Sequence, residues 1–270
     1  MGVLRALSPE LFYARITAMS RNAFAVLALT LAIAGCATTQ KKAIKDPEKD
    51  PQNQYEKAVI SMRYGLEDEA LKYLNLALSL DPSHPPSLLL LGNAQFRKKN
   101  YEGAAAAFQN YLELRPNDAE AHTSLGLTYG QLGMTEKSEA EYLKSLAMDG
   151  NATAAFGLAK LYYEQNKLEP ALEHIQKAIQ KNSKSAAYYN LQGVILNQMH
   201  RYADALPSFQ TALQYTPDDI YVIINLGIAY INIREPVKAR ELLEKVLPKV
   251  QDEALKAKIN EYLKLIKDNE

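Results

Sequence analysis

The chain has 270 residues, 47% of them hydrophobic, and its 31 basic and 31 acidic side chains cancel. Proteins that bind a nucleic-acid backbone usually carry a basic excess or a basic stripe, so this balance argues against a nucleic-acid partner. The single cysteine, Cys36, excludes an internal disulfide and a metal cluster built on cysteine.

The first predicted element is an export signal. Arg21 precedes an apolar run over residues 23–35, which ends directly at Cys36. A short apolar run after a positive charge is typical of a signal peptide, and it is too short to span a bilayer comfortably. Met19 is a better candidate initiator than Met1, because it gives the signal a short charged segment of ordinary length.

The sequence Ile33-Ala34-Gly35-Cys36 resembles the lipobox of bacterial lipoproteins. The resemblance implies that residues 1–36 are a signal peptide with a lipobox, that the sulfur of Cys36 is acylated, and that the membrane is a partner through this lipid. Ala37 stands where an aspartate would retain a Gram-negative lipoprotein in the inner membrane, so we expect the periplasmic face of the outer membrane. The alternative is a plain secretory signal that ends at an unrelated cysteine.

Residues 37–50 are polar and show no apolar periodicity, which predicts a flexible tether between the lipid and the folded part. At about 3.3 Å per residue, such a tether would reach roughly 45 Å from the membrane.

Three columns of residues recur from residue 51 onward at intervals of 33 or 34 positions. The first column is a small residue: Ala58, Gly92, Gly126, Ala159, Gly193 and Gly227. Twelve positions after each comes the second column: Ala70, Ala104, Ser138, Ala171, Ala205 and Ala239. Four positions further comes a large apolar residue: Leu74, Phe108, Tyr142, Ile175, Phe209 and Leu243. A fixed period of this length indicates a repeat array.

The apolar spacing within each period predicts two helices. We expect the small residue to let the second helix approach the first, and the large residue to fill the gap to the next repeat. The six predicted repeats, numbered 1 to 6 below, are 51–84, 85–118, 119–151, 152–185, 186–219 and 220–253. The amphipathic residues 254–270 predict a helix that caps the last repeat.

This pattern resembles the tetratricopeptide repeat family. The residues that match are Leu91, Gly92, Ala104, Phe108, Pro116, Leu125, Gly126, Tyr129, Tyr142, Leu226, Gly227, Tyr230 and Ala239. Ser138 replaces an alanine, and Gly150 and Ser183 replace the proline that ends a repeat. The resemblance implies an all-α, right-handed superhelical solenoid of six helix-turn-helix repeats with a C-terminal capping helix.

No residue pattern indicates catalysis. The four histidines lie in different repeats without an HExxH motif, and no glycine-rich loop suits a phosphate. Each histidine is expected to be exposed or to have a packing role. We therefore expect neither enzymatic activity nor a bound metal ion or cofactor.

In tetratricopeptide repeats the first helix of each hairpin lines a concave groove, so the resemblance implies that a protein client binds there. The groove positions hold Asn93, Phe96, Arg97, Gln131, Lys160, Tyr163, Asn190, Asn197 and Gln198, with Tyr221, Ile224, Ile228 and Ile231 in the last repeat. An amide side chain can bond both groups of a peptide backbone, and four apolar residues in one stripe would bind a hydrophobic segment. Two alternatives stay open: the polar residues form an ordinary solvated face, and the last four residues pack under the capping helix.

Signal, lipobox, tether and six repeats together resemble the outer-membrane lipoproteins of type IV pilus biogenesis, which act as pilotins for secretin subunits. The resemblance implies a membrane-anchored scaffold or assembly factor of the bacterial cell envelope, with pilus or secretin assembly as its specific role. Two other functions stay open: a scaffold for cell-wall or polysaccharide-export machinery, and a lipoprotein whose groove binds a ligand such as a glycan or small molecule.

Overall fold

The computed structural model describes residues 46–148 and 151–268, which contain thirteen α-helices and two short 3-10 helices, Pro47–Lys49 and Leu247–Lys249. The α-helices are α1 Pro51–Arg63, α2 Glu67–Leu80, α3 Pro85–Arg97, α4 Tyr101–Leu114, α5 Ala119–Gln131, α6 Thr135–Met148, α7 Ala152–Glu164, α8 Leu168–Lys181, α9 Ala186–Gln198, α10 Tyr202–Tyr215, α11 Ile220–Asn232, α12 Pro236–Val246 and α13 Glu253–Asp268. The predicted signal, the lipobox and residues 37–45 of the tether lie outside the described residues, as does Gly150.

The helices pair in chain order. Each odd-numbered helix from α1 to α11 packs on the even-numbered helix that follows, and each even-numbered helix from α2 to α10 packs on the next odd-numbered one. The predicted all-α stack of six hairpins is therefore confirmed. Helix α13 packs on α11 and α12 at the C-terminal end. Within residues 46–148 and 151–268, none of the helices combines the length and the hydropathy that a bilayer span requires.

The described structure begins at Asp46, five residues before the predicted start of the repeats. Asp46 caps the 3-10 helix Pro47–Lys49, and the side chains of Gln54 and Lys57 on α1 both bond to Glu48. The amide of Gln54 donates to the Glu48 carbonyl at 2.8 Å, and Nζ of Lys57 lies 2.6 Å from the Glu48 carboxylate. The prediction of a structureless tether up to residue 50 is therefore wrong for its last five residues.

The turn inside each hairpin has the same backbone conformation in all six repeats. The residue with positive φ stands at the fifteenth position each time: Gly65, Lys99, Gly133, Asn166, His200 and Arg234. The next N–H then bonds the carbonyl five residues back at 2.8–2.9 Å, as for Asn100 to Gln95. This bond satisfies a carbonyl that the helix end would leave open, so the turn fixes where each first helix stops.

The small first-column residue accommodates the large third-column residue of its own hairpin. A Cβ atom placed on Gly92 would lie 2.5 Å from Cε1 of Phe108, and one on Gly193 would lie 2.6 Å from Cε1 of Phe209. The large residue was expected to fill the gap to the next repeat, and this expectation is incomplete. Its ring also packs within its own hairpin, where it occupies the space that a side chain on the glycine would take. In repeat 6 the partner is the smaller Leu243, and a Cβ on Gly227 would lie 3.0 Å from it.

One side of the stack is lined by the first helices of the hairpins. Each first helix from α1 to α9 contacts the first helix of the next hairpin, whereas successive second helices make at most marginal contact with one another. Elements that touch on one side and spread on the other form a curved stack, with the touching elements on its inner side. The first helices therefore form what we call the inner surface.

Candidate protein-binding surface

The residues predicted to bind a client all lie on the first helices, but they differ in accessibility. The exposed ones are Asn93, Arg97, Gln131, Lys160, Gln198 and Tyr221. The half-buried ones are Phe96, Tyr163, Asn190, Asn197, Ile228 and Ile231, and Ile224 is buried. A client could therefore contact the exposed residues directly, and the half-buried residues through their accessible edges.

The apolar stripe of the last repeat is largely used inside the fold. Ile224, Ile228 and Ile231 belong to the apolar cluster that also contains Ile259 and Ile266 of α13. This is the packing under the capping helix that the sequence left open as an alternative. Tyr221 is 66% exposed and presents most of its ring to solvent.

Two of the charged residues on the inner surface, Arg97 and Lys160, face opposite charges nearby. The guanidinium of Arg97 lies 3.0 Å from the carboxylate of Glu67 on α2, and Nζ of Lys160 lies 3.7 Å from the carboxylate of Glu164. Exposed pairs of this kind add little stability, but they cancel the local field that a client would meet. In repeats 5 and 6 the corresponding positions are Ala187, Asn190, Val194, Asn197, Gln198, Tyr221, Ile224, Ile228, Ile231 and Asn232, all uncharged.

Amide side chains connect the first helices of repeats 5 and 6. The Asn225 amide donates to Oδ1 of Asn190 at 3.2 Å, which adds Asn225 to the groove residues that the sequence pattern suggested. Oδ1 of Asn197, two turns further along α9, is buried without a hydrogen-bond partner. An unpaired buried acceptor costs about 1–3 kcal/mol, so this oxygen lowers the stability of the fold.

A recess in the inner surface brings together two of the predicted residues, Gln131 and Lys160. It lies between α5 and α7, has a volume of about 340 Å³, and is lined by apolar side chains below these two polar ones. Gly130 and Gly157 also line it, and Tyr142 of α6 forms part of its floor. Neither glycine was predicted as a site residue from the sequence. Both lie within helices but do not belong to the first column of small residues, which is the signal that distinguishes them.

The floor of this recess is uncharged over the physiological range. Burial raises the pKa of the Tyr142 phenol to about 12, because the phenolate would lose its hydration there. The hydroxyl therefore stays protonated and available as a neutral hydrogen-bonding group.

A second hollow, of about 480 Å³, opens between the second helices α4 and α6 and is lined by His122, Glu141 and Lys144. Nδ1 of His122 lies 2.6 Å from the carboxylate of Glu141, and Nε2 lies 3.0 Å from the carbonyl of Pro116. Lys144 bonds the other oxygen of Glu141 at 2.7 Å. Every polar atom of this buried pair is thus engaged within the fold, which agrees with the packing role expected for His122.

The other three histidines differ in environment. His84 bonds Ser87 at the start of α3, His200 occupies an exposed turn, and Nδ1 of His174 is buried without a partner. Burial, and secondarily Lys177, lowers the pKa of His174 below its usual value of 6.5. Among the described residues no group of three His, Cys, Asp or Glu side chains is placed to hold a metal ion.

Family comparisons agree with this architecture. Two models of the Tetratricopeptide repeat match, one at residues 123–187 and 156–220 and the other at 196–259. The model of the Cilia and flagella-associated protein 70 middle TPR-like domain matches residues 40–148. The chain is therefore a tetratricopeptide repeat protein, and scaffold families of this kind are typically non-enzymatic.

Among curated proteins the chain is similar to the type IV pilus assembly protein PilF of Pseudomonas aeruginosa. The two are 31% identical over 140 residues, which cover 49% of this chain and 54% of that protein. Anaphase-promoting complex subunit 3 of Schizosaccharomyces pombe is 22% identical over 168 residues, covering 62% of this chain and 25% of that subunit. The chain thus spans about half the length of the PilF relative and a quarter of the yeast subunit.

Solved structures resemble the repeat array. The structure of P. aeruginosa PilF has a TM-score of 0.61 at 23% identity and covers 70% of this chain and 86% of its own. YrrB, a TPR protein with an unusual peptide-binding site, has a TM-score of 0.58 at 20% identity and covers 70% of this chain and 97% of its own. At these identities the resemblance shows the fold.

Proposed function

We propose that this protein is an assembly factor of the bacterial cell envelope that binds a protein client on its inner surface and acts in type IV pilus assembly. The observation that carries the proposal is the 31% identity with PilF over 140 residues. The client that we propose is the secretin subunit, in keeping with the resemblance of the whole sequence to pilotin lipoproteins.

The chemistry of the inner surface supports a protein client. Arg97 and Lys160 each lie beside a carboxylate, and the first helices of repeats 5 and 6 offer amide groups. Amides bond the N–H and C=O groups that every extended peptide carries, irrespective of its sequence. Such a surface suits a polypeptide better than a charged small molecule.

Membrane attachment is a separate part of the proposal. Acylation of Cys36 would hold the array at the periplasmic face of the outer membrane. A tethered receptor meets membrane-bound clients at a high effective concentration, so a modest affinity of the inner surface would suffice.

A complementation experiment tests the function. In the source organism, deletion of the gene should abolish surface pili and the membrane-bound secretin multimer, and the full-length chain should restore both. Cys36→Ala should restore neither fully, and mass spectrometry of the protein should show the diacylglyceryl and acyl groups on Cys36 of the parent. Normal piliation in the deletion strain would refute the pilus role.

The inner surface is tested with purified secretin subunit. Tyr163→Ala combined with Asn190→Ala should lower its recovery on the immobilised protein while the thermal unfolding midpoint changes little. Asn110→Ala combined with Gln214→Ala, on the exposed sides of α4 and α10, is the matched control and should bind like the parent. Equal recovery by both pairs would contradict the proposed surface. In a separate affinity purification from detergent-solubilised envelopes, recovery of cell-wall or export enzymes instead of secretin would support the alternative scaffold.

A further inference from the structure

The recess between α5 and α7 exists because two helix positions lack side chains. Gly130 stands at the twelfth position of repeat 3, where the other repeats have Met62, Phe96, Tyr163, Asn197 and Ile231. Gly157 stands at the sixth position of repeat 4, where the other repeats have Glu56, Leu90, Ser124, Leu191 and Asn225. Only at this junction of the described array do both positions hold glycine.

Packing explains one of these glycines. A Cβ atom on Gly157 would lie 2.4 Å from Cζ of Tyr142, so the buried ring excludes a side chain there. A Cβ atom on Gly130 would meet nothing closer than Oγ of Ser138 at 3.4 Å, an ordinary contact. Glycine inside a helix costs about 0.5–1 kcal/mol relative to alanine. Gly130 therefore leaves a space open and lowers the stability of the helix, although packing within the fold does not require glycine at this position.

The open space has an apolar floor and a neutral rim. Leu127, Phe156 and Leu161 line it together with the ring of Tyr142. The charged lining residues are Lys160 and Glu164, which lie 3.7 Å apart and offset each other. A charged group placed here would lose hydration without gaining a free partner, whereas an apolar group would gain from leaving water.

We propose that this recess binds one aromatic or large aliphatic side chain of the client, carried on an extended and locally uncharged segment. Gln131 at the rim offers a donor and an acceptor to the peptide group beside that side chain. This inference rests on the proposed function, since it names the chemistry of the client at one point of the inner surface.

The chain has no tryptophan, which makes N-acetyl-L-tryptophanamide a selective fluorescent probe. This neutral molecule carries one aromatic side chain between two peptide groups. Titration of the full-length protein in detergent, corrected for detergent alone, should give a saturable rise in the anisotropy of the probe. N-acetyl-L-phenylalaninamide should compete for the site, and N-acetyl-L-lysinamide should not.

Gly130→Leu fills the recess from a position where the backbone tolerates a side chain. It should weaken probe binding at least tenfold while the urea midpoint stays equal or rises. Gln214→Leu adds the same side chain to the exposed side of α10, outside the inner surface, and should bind like the parent. Should Gly130→Leu fold poorly, Leu127→Ala changes a partly exposed lining residue and should still weaken the probe severalfold. Absence of binding, binding that both lining variants retain, or equal competition by the lysine probe would overturn the proposal.

Secretin recovery separates this inference from the function on which it rests. If the parent and Gly130→Leu recover purified secretin equally, the recess is not the anchor site, although the client assignment stands. If the probe binds in a Gly130-dependent manner but secretin is not recovered, the recess stands and the secretin assignment fails.

Discussion

Repeats 3 and 5 share one packing frame, a first-helix glycine against an aromatic ring, but the interior of repeat 3 is polar and that of repeat 5 is apolar. In each, a first-helix glycine faces a ring: a Cβ on Gly126 would lie 2.8 Å from Tyr142, and one on Gly193 would lie 2.6 Å from Phe209. Six of the ten buried polar side chains of the described residues lie in repeat 3: His122, Thr123, Thr128, Ser138, Glu141 and Ser145. Repeat 5 contributes Ser208 alone to that set and otherwise buries apolar groups.

The polar interior is tolerated because each group is bonded. Oγ1 of Thr123 lies 2.7 Å from Oγ of Ser145, and Oγ of Ser138 donates to the Gly126 carbonyl at 2.7 Å. Buried polar groups are costly mainly when they are left unpaired. The glycine-and-ring frame therefore sets the hairpin geometry. The polarity of the interior can vary independently, provided that every buried polar group has a hydrogen-bond partner.

The largest expected effect tests the shared frame. Phe209→Ala and Tyr142→Ala should each destabilise the protein by about 4 kcal/mol, because each removes a buried ring that the glycine opposite cannot replace. Urea unfolding followed by circular dichroism measures both. If the two losses in the free energy of unfolding differ by more than about 2 kcal/mol, the glycine-and-ring frame does not contribute equally to stability in the two repeats.

A second experiment tests the polar interior through the His122–Glu141 pair. His122→Leu should cost about 3 kcal/mol, because it leaves a buried carboxylate with Lys144 as its remaining charged partner. His122→Leu combined with Glu141→Ala copies Leu88 and Ala107, which occupy these two positions in repeat 2, and should return to within about 1 kcal/mol of the parent. Equal losses in the single and double variants would show that the pair does not act as a unit.

The glycines of the two repeats should respond in opposite directions. Gly193→Ala should cost about 2 kcal/mol, since its methyl group would overlap the ring of Phe209. Gly130→Ala should stabilise by about 0.5–1 kcal/mol, because the position is helical and open. Denaturant midpoints of the two variants, each compared with the parent, give the answer. Destabilisation by both would mean that the recess is less open than its geometry indicates.

The smallest effect concerns pH. His174 occupies in repeat 4 the position of Glu141 and Ser208, but its buried Nδ1 has no partner. Because its pKa is lowered in the folded state, the unfolded chain binds more protons just below the usual value of 6.5. Stability should therefore fall as the pH decreases from 6.5 towards the folded pKa, and His174→Ser should flatten this dependence. Urea midpoints between pH 7.5 and 5.5 test it, with Ser208→Ala as the control that should leave the slope unchanged.

The repeat pattern alone predicts the all-α hairpin stack and its C-terminal helix. Contacts that recur one hairpin apart leave the same small and large residues at a fixed interval, so columns such as Gly92 and Phe108 can be read without coordinates. Residue types typical of turns also occur in several of the six turns, such as Asn100 beside Lys99, Gly133 and Asn166. The turn at Arg234 gives no such signal, because arginine seldom adopts positive φ.

How the space between the helices is shared is visible only in the folded chain. The structure places Ile224 in the cluster under α13 and joins His122 to Glu141 across nineteen positions. It also shows that a side chain on Gly157 would overlap Tyr142, whereas one on Gly130 would meet no close contact. Periodicity specifies which residues face one another, since it depends on the helical repeat alone. Whether a site is filled, hydrogen-bonded or open depends on the side-chain volumes and bonding partners that several helices supply together. The spacing of residues within one repeat does not specify that combination.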